Sequence, residues 1–588
     1  MKKLVLLSVT AIALITTSCG GDKKGDKSGK TEGKGGVYLG GILRLNEVEN
    51  LKSFIPMSIN DVPTYHIAYQ VYEGLVKYDP DNLNIIPALA SRWEFSADLK
   101  EITFHIRPNV KFHDNACFPE GKGRIMNAND IKFCFERLCT QDPANNLFES
   151  TFKDKVVGAT EAFVASKGGS TKRVSGVVVV NDSTLVLKMT VPSLGFLNIL
   201  AMPGCFVYPP EAFKKYGNDM RVNVVGTGPF YVEMIKEGEV VMMKKNQDYW
   251  GVDEHGNKLP YLDGVMWSFI REKKSEILKF KSGDLDMIYR IPVEMFSEIM
   301  GDLSDAKSKK NEFQIISSPA LNTNFFGFNV QTSTKNVFAN KAVRQAFNYA
   351  IDRNKIAVFT IQGEGAPAEY GMVPYTEAFE KEGYNYKGIK GYPLDVAKAK
   401  ELMKSAGYPD GKGFPEINLE INSGGGDRNI LVAEVIQSML KENINVKVNI
   451  NTVPLGEHID NVQSGKADFF RFGWNADYPD PETFLTLFNG KHVPANPADK
   501  SFTNFFRYKN ARYDSLFTAS QIEPDKAKRF ALMSAAEAVA IDDAPFMPIF
   551  YDENFRLEQK GVRNLPENAM NHIDLTKTFV IPSDKLKK

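Results

Sequence analysis

The sequence predicts a mixed α/β protein, because segments with the period of a strand and segments with the period of a helix alternate along its 588 residues. In residues 102–107 and 185–191 every second residue is apolar, which is typical of a strand with one buried face. A helix is predicted where five apolar residues fall on one helical stripe: Val343, Ala346, Phe347, Ala350 and Ile351.

A longer series of elements is predicted between residues 395 and 453. A helix at 395–406 is followed by Gly407, a residue type that commonly ends helices. A strand at 416–422, a helix at 428–441 and a strand at 446–453 come next. This order of elements again indicates an α/β architecture.

Length and composition indicate an ordinary folded protein with more than one lobe. The chain is far longer than one core requires, so we expect two or three lobes. Its 72 basic residues balance 72 acidic ones, which leaves no net field to attract nucleic acid, and we expect no nucleic-acid partner. No Pro-rich or charged linker occurs after Tyr38, so the lobes should be joined by short crossovers.

The N-terminus predicts export and lipid attachment. Two lysines precede a largely apolar run at residues 4–15 that is too short to cross a bilayer, and small residues then lead to Cys19. This pattern resembles a bacterial lipobox, although Thr16 stands where leucine is preferred. We therefore predict a lipoprotein signal peptide at 1–19 with lipid on Cys19, and a flexible tether at 20–36. The alternative is a plain signal peptide with an incidental cysteine.

The remaining cysteines do not predict a cross-link or a metal site. Cys134 and Cys139 are five residues apart in a predicted helix and should face different ways, so we expect buried thiols rather than a disulfide. The spacing of His105, His113 and Cys117 matches no zinc pattern. We predict no bound metal and no cofactor.

A series of short segments resembles the extracellular solute-binding protein family 5, which includes the oligopeptide- and dipeptide-binding proteins of ABC importers. These segments occur in order between Gly41 and Leu557 and lie at 70–79, 86–93, 104–114, 225–230, 248–251, 281–286, 342–353, 473–482 and 543–549. The resemblance implies a type II periplasmic-binding-protein fold of three lobes, with ligand in the cleft between lobes.

The resemblance also implies how the chain is divided. The implied pieces are 36–76, 194–311 and 546–588 for lobe I, 77–193 for lobe II and 312–545 for lobe III. Crossovers near 313–319 and 544–550 would then form the hinge between lobes I and III.

The implied ligand site centres on residues 471–477. Asp477 aligns with the aspartate that pairs with the α-ammonium of a peptide in this family. Gly473 and Asn475 would form backbone hydrogen bonds with an extended peptide, and Asn60 and Val62 would do so from the opposite lobe.

Two further residues of this segment have open interpretations. Arg471 matches a position at which some oligopeptide binders use arginine for the ligand carboxylate. Trp474 either stacks over the ligand or only forms part of the pocket wall. Asp477 has an alternative too, since with Asp480 and Glu482 it would fit an acidic, proline-rich turn.

The sequence thus predicts a substrate-binding lipoprotein of an ABC importer that captures short peptides and is not an enzyme. We expect a monomer that lies outside the cytoplasm, in the periplasm or cell envelope, and contacts the permease subunits. The alternatives are a nickel complex, haem, an opine or an oligosaccharide as ligand, a hydrolase, or a receptor without transport. No Gly-x-Ser-x-Gly or His-Glu-x-x-His motif favours the hydrolase.

Overall fold

The computed structural model describes residues 29–289, 313–331, 336–423 and 428–586. The predicted signal peptide, Cys19 and the first part of the predicted tether lie outside these residues. The described strands are β1 Thr31–Glu32, β2 Tyr38–Leu39, β3 Ile42–Asn46, β4 Val76–Tyr78, β5 Ile85–Pro87, β6 Ala90–Phe95, β7 Glu101–Ile106, β8 Val177–Asn181, β9 Thr184–Lys188, β10 Phe230–Lys236, β11 Val240–Lys245, β12 Gly264–Ser268, β13 Met287–Tyr289, β14 Phe313–Phe328, β15 Gly365–Pro367, β16 Ile417–Asn422, β17 Val448–Val453, β18 Phe469–Asn475, β19 Phe546–Gln559, β20 Val562–Arg563 and β21 Phe579–Val580.

The α-helices are distributed among these strands. They are Val62–Ala68, Ala128–Leu138, Phe148–Thr151, Ala159–Ala165, Phe196–Leu200, Pro210–Tyr216, Lys273–Lys281, Lys341–Tyr349, Arg353–Lys355, Glu377–Lys381, Val396–Ser405, Arg428–Ile444, Leu455–Gln463, Glu482–Leu485, Ala511–Ile522 and Lys526–Asp543. Within the described chain, none of the helices has the length and apolar character that crossing a membrane requires.

Three larger sheets organise the molecule. The first sheet has the order β10-β11-β12-β3, and the second has the order β6-β7-β9-β8. The third sheet has the path β13-β19-β14-β18-β16-β17, with β15 paired to β19. The strands predicted near residues 102, 185, 416 and 446, and the helices predicted near 343, 395 and 428, are all confirmed.

Apolar residues form a continuous core across the first two sheets. Leu43 and Trp267 of the first sheet belong to the same buried cluster as Phe104 and Leu187 of the second. Two further clusters lie against the third sheet, one around Phe470 and Phe506 and one around Phe328, Phe347 and Phe469. The third sheet therefore has its own core, and the main cleft lies between it and the other two.

Two long strands connect the third sheet with the rest of the molecule. Residues 313–319 of β14 pair with 553–559 of β19, beside β13. Residues 546–550 instead pair with 324–327, well inside the third sheet. The two neighbouring segments that lead from the third sheet to the rest of the molecule are therefore 313–319 and 553–559. The second of them lies downstream of the crossover expected at 544–550. Because β19 runs for 14 residues without interruption, its sequence offers no break that would mark the crossing point.

The end of the predicted tether and the cysteines can also be compared with the structure. Thr31–Glu32 pairs with Tyr38–Leu39, so the last residues of the predicted tether form a hairpin, with the turn allowed by the positive φ of Gly35 and Gly36. The cysteines of the described residues are free thiols: Cys117, Cys134, Cys139 and Cys205. Apart from Cys117, which is half-buried, these thiols are buried as predicted.

Candidate functional site

A cleft of about 800 Å³ separates the third sheet from the other two. Helix Val62–Ala68 and the residues before it form one side of the cleft, and helix Phe148–Thr151 forms part of another. The end of β18 forms the third-sheet side. The predicted site residues that line the cleft are Asn60, Val62, Arg471, Gly473, Asn475 and Asp477.

Strand β18 has an open edge in this cleft. Along its whole length it pairs with β14, but on its other side β16 pairs with it only at Phe469 and Phe470. Among the described residues, 471–475 therefore have no neighbouring strand on that side. An unpaired strand edge is the feature to which an extended peptide can add.

The hydrogen-bond pattern shows which residues present their backbone at this edge. The N–H of Ala476 donates to the carbonyl of Leu321 (2.9 Å), which makes that pair a hydrogen-bonded one. In an antiparallel ladder such pairs alternate, so the N–H and C=O groups of residues 471, 473 and 475 point away from β14. His458 Nε2 already donates to the Arg471 carbonyl (2.7 Å). The groups of Gly473 and Asn475 are left to face the cleft.

Asp477 lies just beyond the end of this edge. Its N–H donates to Thr483 Oγ1 (3.1 Å), and the Thr483 hydroxyl donates to its Oδ2 (3.3 Å). The carboxylate is open to the cleft, but the surrounding walls displace much of its water, and this desolvation raises its pKa. The Thr483 hydrogen bond and the positive charge of Lys155 act in the opposite direction.

The two other acidic residues of this turn are placed differently. Arg529 makes a bidentate ion pair with Asp480 (2.6 and 2.9 Å) and a further contact with Glu482 (3.1 Å). Asp480 is only 4% exposed, so its negative charge is paired with Arg529 inside the protein. Within the described chain, Asp477 alone of the three has no ion pair of its own. The residues of the acidic turn therefore do not share one environment.

Arg471 lies at the other end of the open edge. Its Nη1 donates to Asn422 Oδ1 (3.2 Å) and its Nη2 donates to Asn324 Oδ1, and in the described structure it has no carboxylate in an ion pair. Burial lowers its pKa to about 10, assisted by the neighbouring charge of Arg428. The guanidinium remains charged at neutral pH and can still bind an anion.

Several polar residues of the cleft were not predicted from the sequence. Asn322 Nδ2 donates to Asn475 Oδ1 (2.5 Å), and Asn324 Nδ2 donates to Asn322 Oδ1 (2.8 Å). These amides connect Asn475 to Arg471 across β14 and β18. The alternation of Asn322 and Asn324 just before an apolar run in β14 could have indicated a polar face. Arg428 and Asp552, which form an ion pair in the cleft wall, carry no comparable signal.

Trp474 does not line the cleft. Alternate residues of a strand point to opposite faces, so with Gly473 and Asn475 facing the cleft, Trp474 turns to the other face of the sheet. There its ring packs edge-on against Phe505, with ring centroids 6.0 Å apart. Of the two interpretations open for Trp474, stacking over the ligand or forming part of the pocket wall, this placement favours the second, with the ring packed behind the wall.

The residues on the opposite side of the cleft lie at the start of a helix. Asp61 caps helix Val62–Ala68 by accepting from the Thr64 N–H (3.0 Å). Val62 is the first residue of that helix, and its amide is one of those for which a helix supplies no internal partner. Asn60 precedes the cap and is exposed to the cleft.

Comparison with known proteins places this architecture in a family. The model for bacterial extracellular solute-binding proteins, family 5 Middle, matches residues 84–495. The oligopeptide-binding protein OppA of Bacillus subtilis is 28% identical, over 92% of this chain and 94% of its own length. Heme-binding protein A of Haemophilus influenzae is also 28% identical, over 94% and 95%.

A solved structure gives the same result for the fold. The periplasmic binding protein DppA of Helicobacter pylori, in complex with the peptide STSA, superposes with a TM-score of 0.70 at 24% identity. The match covers 92% of this chain and 98% of that one. The fold is therefore the type II periplasmic-binding-protein fold, and the chain belongs to the family 5 bacterial extracellular solute-binding proteins.

Proposed function

We propose that this protein is the substrate-binding component of an ABC importer and captures short peptides in the cleft beside β18. The observation that carries the proposal is the open edge of residues 471–475, with a carboxylate at one end and a guanidinium at the other. The bound peptide would then be delivered to the permease subunits.

The chemistry of a peptide fits this arrangement group by group. A peptide of any sequence has an α-ammonium, a row of backbone N–H and C=O groups, and a carboxylate. Asp477 would accept from the ammonium, and a hydrogen bond to a charged group is worth about 1.5–3 kcal/mol. Gly473 and Asn475 would extend the ladder of the third sheet, and Arg471 would bind the carboxylate.

The remaining wall of the cleft favours the binding of peptides with different sequences over strict selectivity for one sequence. Asn60 and Val62 would contact the peptide backbone from the opposite side when the cleft is closed. The volume of about 800 Å³ leaves room for side chains and water, and bridging water can satisfy polar side chains of different shape. We expect ligands of mixed sequence that share a free N-terminus.

The proposal includes a membrane anchor. Lipid on Cys19 would hold the protein at the cell envelope, outside the cytoplasm, while the binding region works as a monomer. We assign it no catalytic role. The lobe boundaries 36–76, 77–193, 194–311, 312–545 and 546–588 remain part of this proposal, with the crossing point on β19 moved toward residue 553.

Native mass spectrometry of the chain from Tyr38 onward, as purified from cells, tests the ligand class. We expect adducts of mixed peptide mass on the wild type and a strong reduction of these adducts in Asp477→Asn. Asp182→Asn is the matched control, because Asp182 is an exposed aspartate in the turn between β8 and β9 and does not line the cleft. Equal peptide adducts on both variants would contradict the role of Asp477.

The same spectrum separates peptides from the strongest alternative ligand. Heme-binding protein A matches this chain over nearly its whole length, which favours haem as the second candidate. Haem would give one adduct of fixed mass and a Soret absorption band, and Asp477→Asn would leave both unchanged. That outcome would replace the peptide proposal.

A further inference from the structure

Lys155 brings a positive charge to the Asp477 end of the cleft from the second-sheet side. It follows helix Phe148–Thr151, and its Nζ donates to the carbonyl of Ser150 (3.1 Å), a residue that lines the cleft with Asp477. Within the described part of the chain this ammonium is in no ion pair, and it is half-buried. Lys155 does not itself line the cleft, so its charge acts from behind Ser150.

The facing element is the acidic turn after β18. The negative charges of Glu482 and Asp477 both act on Lys155, and those of Asp154 and Glu149 act on it from its own side. The two sides are close here, since a Cβ built on Gly195 would lie only 3.2 Å from Glu482 Oε2. His492 also faces Lys155 from the third-sheet side.

Charges at this end of the cleft do not cancel without a ligand. Three carboxylates of the turn, Asp477, Asp480 and Glu482, face two cations, Arg529 and Lys155. Asp154 adds further negative charge on the side of Lys155, so the balance at this end of the cleft is negative, which favours the ammonium of a peptide N-terminus. Without Lys155 the balance would be more negative by one unit, and the end of the cleft would favour a second positive charge on the ligand.

We propose that Lys155 determines specificity at the ammonium end of the cleft by disfavouring a second positive charge on the ligand there. The inference rests on the proposed peptide-binding function. A ligand whose first residue is basic would place a second cation near Lys155, and like charges in a partly desolvated site repel strongly. Peptides with a neutral first residue are then preferred.

The test is a calorimetric comparison of two peptides, Ala-Ala-Ala-Ala and Lys-Ala-Ala-Ala, on the full chain. Titrations are run at about pH 7.5, because burial raises the pKa of Glu482 to about 7 and a peptide α-ammonium loses its proton at about pH 7.7–8.0, so that both groups are mostly charged. Wild type should bind the neutral peptide more tightly. Lys155→Met should shift the ratio of the two dissociation constants toward the basic peptide by about tenfold.

Two further variants separate charge from packing. Lys155→Arg keeps the charge and should keep the wild-type ratio. Lys188→Met removes a lysine of β9 that pairs with Glu101 (2.8 Å) and does not line the cleft, and it should also keep that ratio. An unchanged ratio in Lys155→Met, or an equal shift in Lys155→Arg, would overturn the inference while peptide binding stands. If wild type binds neither peptide, the proposed function fails and the inference falls with it.

Discussion

Asp477 combines partial desolvation with the absence of an ion pair in the described structure, which makes its protonation sensitive to the ligand. In the free protein its pKa is raised by burial, and a bound ammonium would lower it. Because the ammonium needs the ionised form, affinity is full between the raised pKa of Asp477 and the pKa of the ammonium itself, about 7.7–8.0, and is lost as the pH falls through the former. Ligand and proton compete for one group.

We therefore predict that peptide affinity weakens on acidification before the pH reaches about 3.9, the ordinary pKa of aspartate. Titration calorimetry between about pH 7 and pH 4, where the peptide ammonium stays protonated, would measure this, with up to tenfold weaker binding per pH unit below the raised pKa. Asp477→Asn should bind weakly and without this pH dependence. An identical pH profile in the variant would assign the titration to another group.

Arg471 allows a matching prediction for the peptide carboxylate. Its guanidinium contacts two asparagine amides and, within the described residues, no carboxylate, so a ligand carboxylate would gain a charged partner. Arg471→Met should weaken binding of a peptide with a free C-terminus by roughly tenfold or more. The C-terminally amidated peptide should bind wild type and variant alike. Equal losses for both peptides would indicate damage to the cleft wall instead.

At the scale of elements, the open edge of β18 predicts that the peptide positions important for binding alternate along the peptide. If a peptide adds to this edge as a strand, only alternate residues of the peptide exchange hydrogen bonds with Gly473 and Asn475. Methylation of one amide nitrogen at a time along the peptide should then weaken binding at every second position. Each lost hydrogen bond between uncharged groups should weaken binding by about tenfold at most. Competition with a labelled peptide would measure the series. Losses without alternation would argue against strand addition.

A second element depends on Glu537 of helix Lys526–Asp543. Its buried carboxylate accepts from the amides of Met372 and Val373 (2.5 and 2.8 Å) and from the Tyr384 hydroxyl. Glu537→Ala would leave these donors unsatisfied, and each such buried group costs about 1–3 kcal/mol. We predict a loss of about 3 kcal/mol or more in the free energy of unfolding, measured with urea. A loss below about 1 kcal/mol would show that other acceptors replace the carboxylate.

The stability of this helix contact should also depend on pH. Burial raises the pKa of Glu537 to about 7, above the value of about 4.3 expected in the unfolded chain. The folded state then holds the extra proton between these values, so stability falls as the pH rises through that window. Glu537→Gln should flatten this part of the pH profile of the free energy of unfolding. An unchanged profile would contradict the assignment.

Elements differed in how well the sequence predicted them. Period alone was enough for β7 and β9, because every second residue of each strand is buried. The open edge of β18 could not be predicted, since it depends on where β16 stops pairing with it. The face occupied by Trp474 follows from strand alternation, but only once Gly473 is known to face the cleft.

At the scale of the whole molecule, the site is assembled from parts that are distant in sequence. Asn60, Ser150 and Asp477 line different sides of one cleft, and only the fold brings them together. The family resemblance supplied the residues 471–477 because they form one continuous segment. It could not supply Lys155, Arg428 or Asn324, whose roles depend on contacts between segments. The crossing point on β19 was misplaced for a similar reason.

Because the cleft lies between the third sheet and the other two, a bound ligand should stabilise the whole folded protein. A peptide that binds only the folded state should stabilise it by about 2.7 kcal/mol at a hundred times its dissociation constant. Chemical denaturation with and without peptide would measure the difference. The same concentration of an N-acetylated peptide should stabilise less. No change with either peptide, at concentrations that saturate calorimetric binding, would indicate binding outside the folded cleft.

The most direct test is a double-mutant cycle between Asp477 and the peptide ammonium. Calorimetry would give four dissociation constants, for Ala-Ala-Ala-Ala and its N-acetylated form on wild type and on Asp477→Asn. Acetylation should weaken binding to wild type by about tenfold to a hundredfold and should have little effect on the variant. An equal penalty for acetylation in both proteins would contradict the central claim that Asp477 binds the N-terminus of a peptide.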